Sequence, residues 1–302
     1  MATAAAAAAA RDAAAAFSKV HPREYYERFL DRSVRPDGRA LADTRPTSIT
    51  RGAVSSADGS AMVKLGSTTV LGTVRAEVTS PAADAPNAGR LAVNLVVTAL
   101  ASPTVRAGRP NDAAAAMSHT LERIVASSEI VRVEDLVIEA GEGQVWVLYC
   151  DLYCLDYDGN VMDAALIALL AALQDTKLPV LEPGPADKLV VTPGAPPKPV
   201  ALNRTPVALT LAVIDTHIIA DPTAQEESLG GSVDVDAALL GGSAMEAGCT
   251  SDNFSIVIGD NDTLCGIYKA GGTALSDAQL RHSVELARAR AQEVRLMLSA
   301  AA

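Results

Sequence analysis

A chain of 302 residues with 49% hydrophobic and 20% charged side chains has globular composition, and its length favours two domains over one. The formal net charge of −11 argues against a free-standing nucleic-acid binder, because phosphate contacts need a local surplus of Lys and Arg. An aromatic content of 3% argues against a base-stacking platform, while a local basic patch stays open because field follows charge distribution.

In chain order, MATAAAAAAARDAAAAF lacks the basic n-region and Leu-rich h-region of a secretory signal, and reads as an Ala helix or a disordered tail. HPREYYERFLDRSVRPDGRALADTRP follows as a basic lead-in holding Arg23, Arg28, Arg32, Arg35, Arg39 and Arg45, and ends in a loop. TSITRGAVSS, the turn ADG (57–59) and SAMVKLGSTTVLGTVRAEVTS predict antiparallel strands rich in Val and Thr, and LAVNLVVTAL (91–100) a further buried strand. From Asn111, a plausible N-cap, to about Val131 the pattern turns helical, with Met117, Leu121, Ile124 and Ser128 at helical spacing. EDLVIEA and QVWVLYCDLYCL predict strands. Asn160 and Asp163 then predict a capping pair for a helix through about Gln174. Its apolar run ALIALLAAL (165–173) is half the length of a bilayer span, so no membrane segment is expected.

The Pro- and Gly-dense segment 178–199 predicts a domain boundary. PVALTLAVI, HIIA, GSVDVD, FSIVIG and TLCGIYKAG predict strands beyond it. The closing helix has a Ser276–Gln279 capping box and a stripe of Leu280, Val284, Ala287, Ala291, Val294 and Leu298. Each half thus reads as strands followed by helix, which hints at an internal duplication. Cys150, Cys154, Cys249 and Cys265 form no C-x-x-C pair and the four histidines are scattered, so a reducing compartment without structural zinc is expected.

The densest chemistry lies in VLYCDLYCLDYDGNVMDAAL (147–166), where Asp151, Asp156, Asp158 and Asp163 fall within thirteen positions. Such carboxylates suggest an acid/base pair or a metal cage. An EF-hand fails, because Gly159 is at the wrong loop position and no closing Glu follows. The alternative is structural: D-x-D-G-N is ordinary turn chemistry, with Asp163 favoured in a first helical turn by the dipole. On a strand, Asp151 shares a face with Tyr149 and Tyr153, while Trp146, Cys150 and Cys154 point the other way. LGSTTVLG (65–72) matches neither a P-loop nor a dinucleotide fingerprint. Arg106 and Arg109, in the loop ASPTVRAGRPND before the first long helix, suit phosphate oxygens, although solvated loop charge explains them too.

RPDGR (35–39), TRP (44–46), GSTTVLGTV (66–74), LERIV (121–125), YCDLYCLDYDGNVMDAAL, VALTLAVID (207–215), ADPTAQEE (220–227) and a GG pair (271–272), in that order across about 33–298, resemble the RNase PH family. Within it the chain is most similar to the RNase PH-like ring subunits of the RNA exosome, in the branch related to the archaeal non-catalytic subunit and most closely to a eukaryotic member of the ring, a branch in which DYDGNVMDAA and ADPTAQEE are typical. The resemblance implies an α+β, RNase PH-like fold (ribosomal protein S5 domain 2-like) of two β–α halves. It divides the chain into an Ala-rich tail and lead-in (1–32), a first half (33–180) and a second half with the C-terminal helix (181–302). It also implies a heterohexameric ring of RNase PH-like subunits under S1/KH-type cap subunits, with single-stranded RNA in the channel. RNA processing and degradation (including rRNA maturation and mRNA turnover) in nucleus, nucleolus and cytoplasm follow by the same resemblance. No cofactor and no metal are implied.

Active relatives degrade RNA from the 3′ end by phosphorolysis, which needs fixed cationic and N–H donors for two anions and a carboxyl acid on the leaving oxygen. By resemblance that acid maps to Asp156. The Arg-bearing run that follows it in active relatives is replaced by YDGNVMDAA, with Asp163 near the Arg position, and Ser127 stands where the helix Arg would be. Ser127, Asp156, Asp158 and Asp163 are therefore expected to mark a degenerate site in a non-catalytic subunit. The alternative is an active phosphate-dependent exoribonuclease, alone or with a neighbouring subunit. Arg106 and Arg109 are the expected RNA-binding residues. Arg35, Arg39 and Arg45 are weaker candidates, since RPDGR is expected to stabilise a subunit contact.

Overall fold

A computed structural model describes residues 16–81, 88–102, 105, 112–138, 143–183, 189–192, 195–214, 217–229 and 252–300. The Ala tract up to residue 15, the N-cap candidate Asn111, Arg106, Arg109, Cys249, the expected strand GSVDVD and the whole insertion at 237–251 lie outside these residues.

The lead-in opens with helix α1 (Pro22–Leu30), whose buried Tyr26 and Leu30 turn towards the second half of the chain. The first half forms strands β1 (Thr47–Arg51), β2 (Gly59–Leu65), β3 (Thr68–Thr79), β4 (Arg90–Val97) and β5 (Val145–Asp156), with helices α2 (Asp112–Ser128) and α3 (Val161–Asp175). They build one sheet in the order β1-β2-β3-β5-β4. All its pairs are antiparallel except β4–β5, which is parallel because α2 carries the chain back between them.

That crossover accounts for a misread segment. The described part of EDLVIEA (134–138) forms a 3₁₀ turn at Val133–Leu136 and one bridge, Val137 to Val145, instead of a strand. From Val147 onward both edges of β5 are taken, by β3 and β4, which leaves this segment only Val145 to pair with. The period-2 reading of β5 holds. Trp146, Leu148, Cys150, Leu152 and Cys154 are buried, while Tyr149 is 40% exposed and Asp151 and Tyr153 are partly exposed beside it.

Short strands β6 (Lys177–Leu178), β7 (Leu181–Pro183), β8 (Leu189–Val191) and β9 (Lys198–Pro199) fill the Pro/Gly segment as two small ribbons. The second half has β10 (Val207–Ile214), β11 (His217–Ala220), α4 (Ala224–Leu229), β12 (Asn253–Ile258), β13 (Leu264–Lys269) and α5 (Asp277–Ala300). Its sheet runs β11-β10-β12-β13, antiparallel throughout. Ser276 and Gln279 form the expected reciprocal cap of α5.

Helix α3 explains the all-apolar run. Every residue from Asp163 to Leu173 is buried, because the helix packs on β2 and β3 with one side and on β10 with another. A helix enclosed by two sheets has no solvent face for polar residues. Its alanines bring backbones close: a Cβ on Gly59 would lie 2.6 Å from the Ala172 carbonyl, so β2 needs glycine there. Each fully buried Leu or Ile contributes about 1.5–3 kcal/mol, and α3 supplies Leu166, Ile167, Leu169, Leu170 and Leu173 to the junction. Among the described residues, no helix is long and apolar enough to cross a membrane.

Candidate functional site

The motifs that carry the family resemblance converge on one buried polar knot. RPDGR closes on itself: the Arg35 amide donates to the Arg39 carbonyl (3.0 Å), and Gly38 takes φ 87°, a conformation that favours glycine. Asp37 accepts from the Arg39 amide (3.0 Å) and from its Nε (2.6 Å). Burial works against ionisation of Asp37, but these donors and the Arg39 charge hold its carboxyl below the usual range.

Arg35 is 0% exposed. Its Nε (2.9 Å) and Nη2 both donate to Glu226, and its remaining N–H groups serve the carbonyls of Ala220 (2.7 Å), Asp221 (3.0 Å) and Asp43 (3.3 Å). Arg45 forks onto Asp221 through Nε (2.9 Å) and Nη2 (2.8 Å), and its backbone amide donates to the same carboxylate (2.7 Å). Its Nη1 reaches the Asp158 carbonyl at 2.7 Å and the Asp158 carboxylate at 3.4 Å. Arg39 Nη1 adds a 3.3 Å contact to Asp221. Burial pushes Asp221 up, yet the Arg45 bonds and charge outweigh it, so the carboxyl lies below its ordinary value.

Asn160 stands at the N-cap of α3 in left-handed geometry (φ 52°, ψ 46°), and its side chain makes no cap bond. The expected capping pair therefore has another role. Asn160 Nδ2 bridges two carboxylates, Asp163 Oδ2 (2.9 Å) and Asp221 Oδ1 (2.7 Å), and its amide donates to Glu227 Oε1 (2.8 Å). Its Oδ1 is buried without a partner among the described residues. Turning the amide over would aim that oxygen at two carboxylates. Tyr157 Oη donates to Glu227 Oε2 (2.7 Å). Desolvation pushes the Glu227 carboxyl up, against the Asn160 and Tyr157 donors. Asp163 accepts from the Thr210 amide (2.9 Å) and hydroxyl (2.7 Å). Burial first, then the charge of Asp221, raises it to about 6.

The knot unites the lead-in, the β5–α3 turn and the β11–α4 segment. Gly159 fits there because its φ is 76° and a Cβ would sit 2.5 Å from the Thr223 backbone. The four residues singled out from sequence are divided. Asp158 and Asp163 belong to the knot, Asp158 joined to Arg45 and Asp163 beneath the surface with both oxygens engaged. Asp163 is thus not placed to meet a solvent anion. Asp156 is exposed at the end of β5. Ser127 is exposed on the last turn of α2, donates to the Ile124 carbonyl (3.2 Å) and lies 3.5 Å from Tyr268 Oη. It lines an open cleft with Arg204, Asp260, Asn261, Thr263, Leu264 and Cys265, none of which belongs to the knot. Arg35, read as a subunit-contact residue, is instead satisfied entirely within its own chain. Among the described residues, no group of three or more His, Cys, Asp and Glu side chains is placed to hold a metal ion.

Sequence reasoning missed Asp221, Glu226, Glu227 and Thr210 as members of this cluster. The signal was present: a buried Arg-rich loop requires buried carboxylates, and ADPTAQEE is an acidic segment that follows directly on the apolar HIIA.

Comparison with known proteins follows the same division of the chain. The model of the 3′ exoribonuclease family, domain 1, matches residues 43–179, and that of domain 2 matches residues 204–290. The exosome complex component Rrp42 of Methanopyrus kandleri is 32% identical over 266 residues, covering 88% of this chain and 91% of the relative. The exosome complex component rrp43 of Schizosaccharomyces pombe is 29% identical, covering 91% and 94%. A chain of the Archaeoglobus fulgidus exosome solved with RNA bound to the active site superposes with a TM-score of 0.74 at 28% identity, covering 90% of this chain and 96% of that one. Two domain models in sequence order, on two sheets clamped around one helix, place this chain in the 3′ exoribonuclease family with the RNase PH fold.

Proposed function

We propose that this chain is a structural, RNA-guiding subunit of an exosome ring, supporting 3′-to-5′ RNA processing and degradation without catalysis of its own. Its relatives named as exosome components match over nearly their whole length. The observation that carries the non-catalytic reading is the fork of Arg45 on Asp221, together with Arg35 on Glu226. The buried guanidinium groups beside the Asp158 turn are neutralised by the chain's own carboxylates. A substrate phosphate arriving there would have to displace a desolvated ion pair, which costs several kcal/mol. Ser127, in place of a cation, offers its cleft only a hydroxyl already engaged with Ile124.

In this reading the partners are other RNase PH-like subunits in a heterohexameric ring and S1/KH-type cap subunits, with single-stranded RNA in the channel. Arg106 and Arg109 are the RNA contacts, and the site of action is the nucleus with its nucleolus and the cytoplasm. The degenerate positions are Ser127, Asp156, Asp158 and Asp163.

The test incubates the purified chain with labelled oligoribonucleotide, with and without inorganic phosphate. No phosphate-dependent release of nucleoside diphosphates is expected. Release that Asp156→Asn abolishes would establish an active exoribonuclease instead.

A further inference from the structure

Three arginines enter the knot and each is paired with carboxylates other than Asp163: Arg35 with Glu226, Arg39 with Asp37 and Asp221, Arg45 with Asp221 and Asp158. Asp163 is held by neutral donors, namely the Thr210 amide and hydroxyl and Asn160 Nδ2. One Asn160 amide group ties it to Asp221, a second carboxylate. Two negative charges tied so closely away from water oppose each other, and the one without a guanidinium is the one that yields.

The hydrogen-bond chain from Asp163 does not stop at Thr210. Thr210 Oγ1 lies 2.8 Å from Ser255 Oγ on the neighbouring strand β12, with Thr210 and Ser255 paired in register. With Asp163 ionised, Ser255 donates to Thr210 and Thr210 donates to Asp163 Oδ1. With a proton on Oδ1, that oxygen donates to Thr210 and Thr210 donates to Ser255, while the Thr210 amide and Asn160 Nδ2 go on donating to Oδ2. We propose that Asp163, Thr210 and Ser255 form a proton-accepting clamp that joins α3 to the second sheet and holds it more tightly when Asp163 carries a proton.

The charged and titratable groups around it are Asp221 from the end of β11, Arg45 from the lead-in, Asp158 and Tyr157 from the β5–α3 turn, and Glu226 and Glu227 from α4. Asp221 alone among these raises Asp163 appreciably. The Asp163 carboxyl moves from an ordinary 3.8 to about 6 on folding. Above its folded value the buried charge costs stability. That cost is relieved as pH falls from 7 towards 5, because the folded chain then binds a proton that the unfolded chain does not.

The test is denaturant unfolding of the full chain between pH 5 and 7.5, in the wild type and in Asp163→Asn. The substituted amide reproduces the protonated pattern, donating to Thr210 and accepting from Thr210 N and Asn160. The wild-type unfolding constant is expected to carry a roughly ten-fold decrease from pH 7 to pH 5 that Asp163→Asn lacks. Parallel profiles for the two proteins would overturn the clamp. Should Asp163→Asn not fold, carboxyl-carbon NMR titration of Asp163 in the wild-type chain decides the matter. A midpoint near 6 supports the clamp, and a midpoint among the surface carboxylates overturns it.

Discussion

Arg45 reaches Asp221 with two prongs of its guanidinium and Asp158 with a third N–H, so three segments distant in sequence share one ion. Replacing it leaves Asp221, 1% exposed, as a buried charge without a bidentate partner. Arg45→Met should destabilise the chain by about 3–5 kcal/mol, read as a lower urea midpoint, because an orphaned buried charge costs more than a lost surface contact. The acid limb of the stability curve follows from the same residue. The folded Asp221 and Asp37 carboxyls lie below 3.8, so their stabilisation is full above that pH and disappears only as pH falls beneath it. Equilibrium unfolding between pH 5 and 2 should show the loss. Asp221→Asn should remove a measurable part of that limb.

At the scale of elements, α3 is the most constrained piece of the chain. Leu169 is fully buried in a helix enclosed by both sheets, so Leu169→Ala leaves a cavity that neither sheet can collapse into without moving the other. A cost of about 2–5 kcal/mol is expected in calorimetry or denaturant unfolding. Helix α5 is fastened at its edges by arginines. Arg290 reaches Thr47 Oγ1 on β1 and Glu293 Oε2 (2.6 Å), and Arg51 reaches the Leu298 carbonyl. The turn into α3 shows why a motif can be seen and still be misread. DYDGN announces a turn, and it is one. Yet the Asn160 side chain links Asp163 to Asp221 instead of bonding the backbone of its helix, because Asp221 comes within reach only in the folded chain. The family resemblance puts Ser127 and Asp158 in one degenerate site. In the folded chain they face different neighbours, Tyr268 for one and Arg45 for the other.

For the whole molecule, assembly and RNA contact are the quantities to measure. The chain carries −11 overall, so RNA attraction must come from local cations, and Arg106 and Arg109 are the proposed ones. Arg106→Glu combined with Arg109→Glu should lower the RNA affinity of the assembled ring and flatten its dependence on salt. Fluorescence anisotropy across a salt series checks this, and unchanged affinity removes both residues from the channel. The isolated chain should also melt below the assembled ring, since a partner that binds only the folded subunit stabilises it by mass action.

Local pattern alone determined much of the outcome. Period-2 alternation fixed which face of β5 is buried, the Ser276–Gln279 cap set the start of α5, and an apolar run without polar positions marked a helix with no solvent face. These follow from side-chain geometry along one element. What only the tertiary structure decided is who partners the charges. Arg35 and Glu226 are separated by 191 residues, and Asp163 and Thr210 by 47. Nothing local says that a basic loop, an acidic turn and ADPTAQEE will share one dry volume. Once packing removes water, each buried charge must find its partner there, and that requirement turns two of the clustered carboxylates, Asp158 and Asp163, into part of a bond between the two halves.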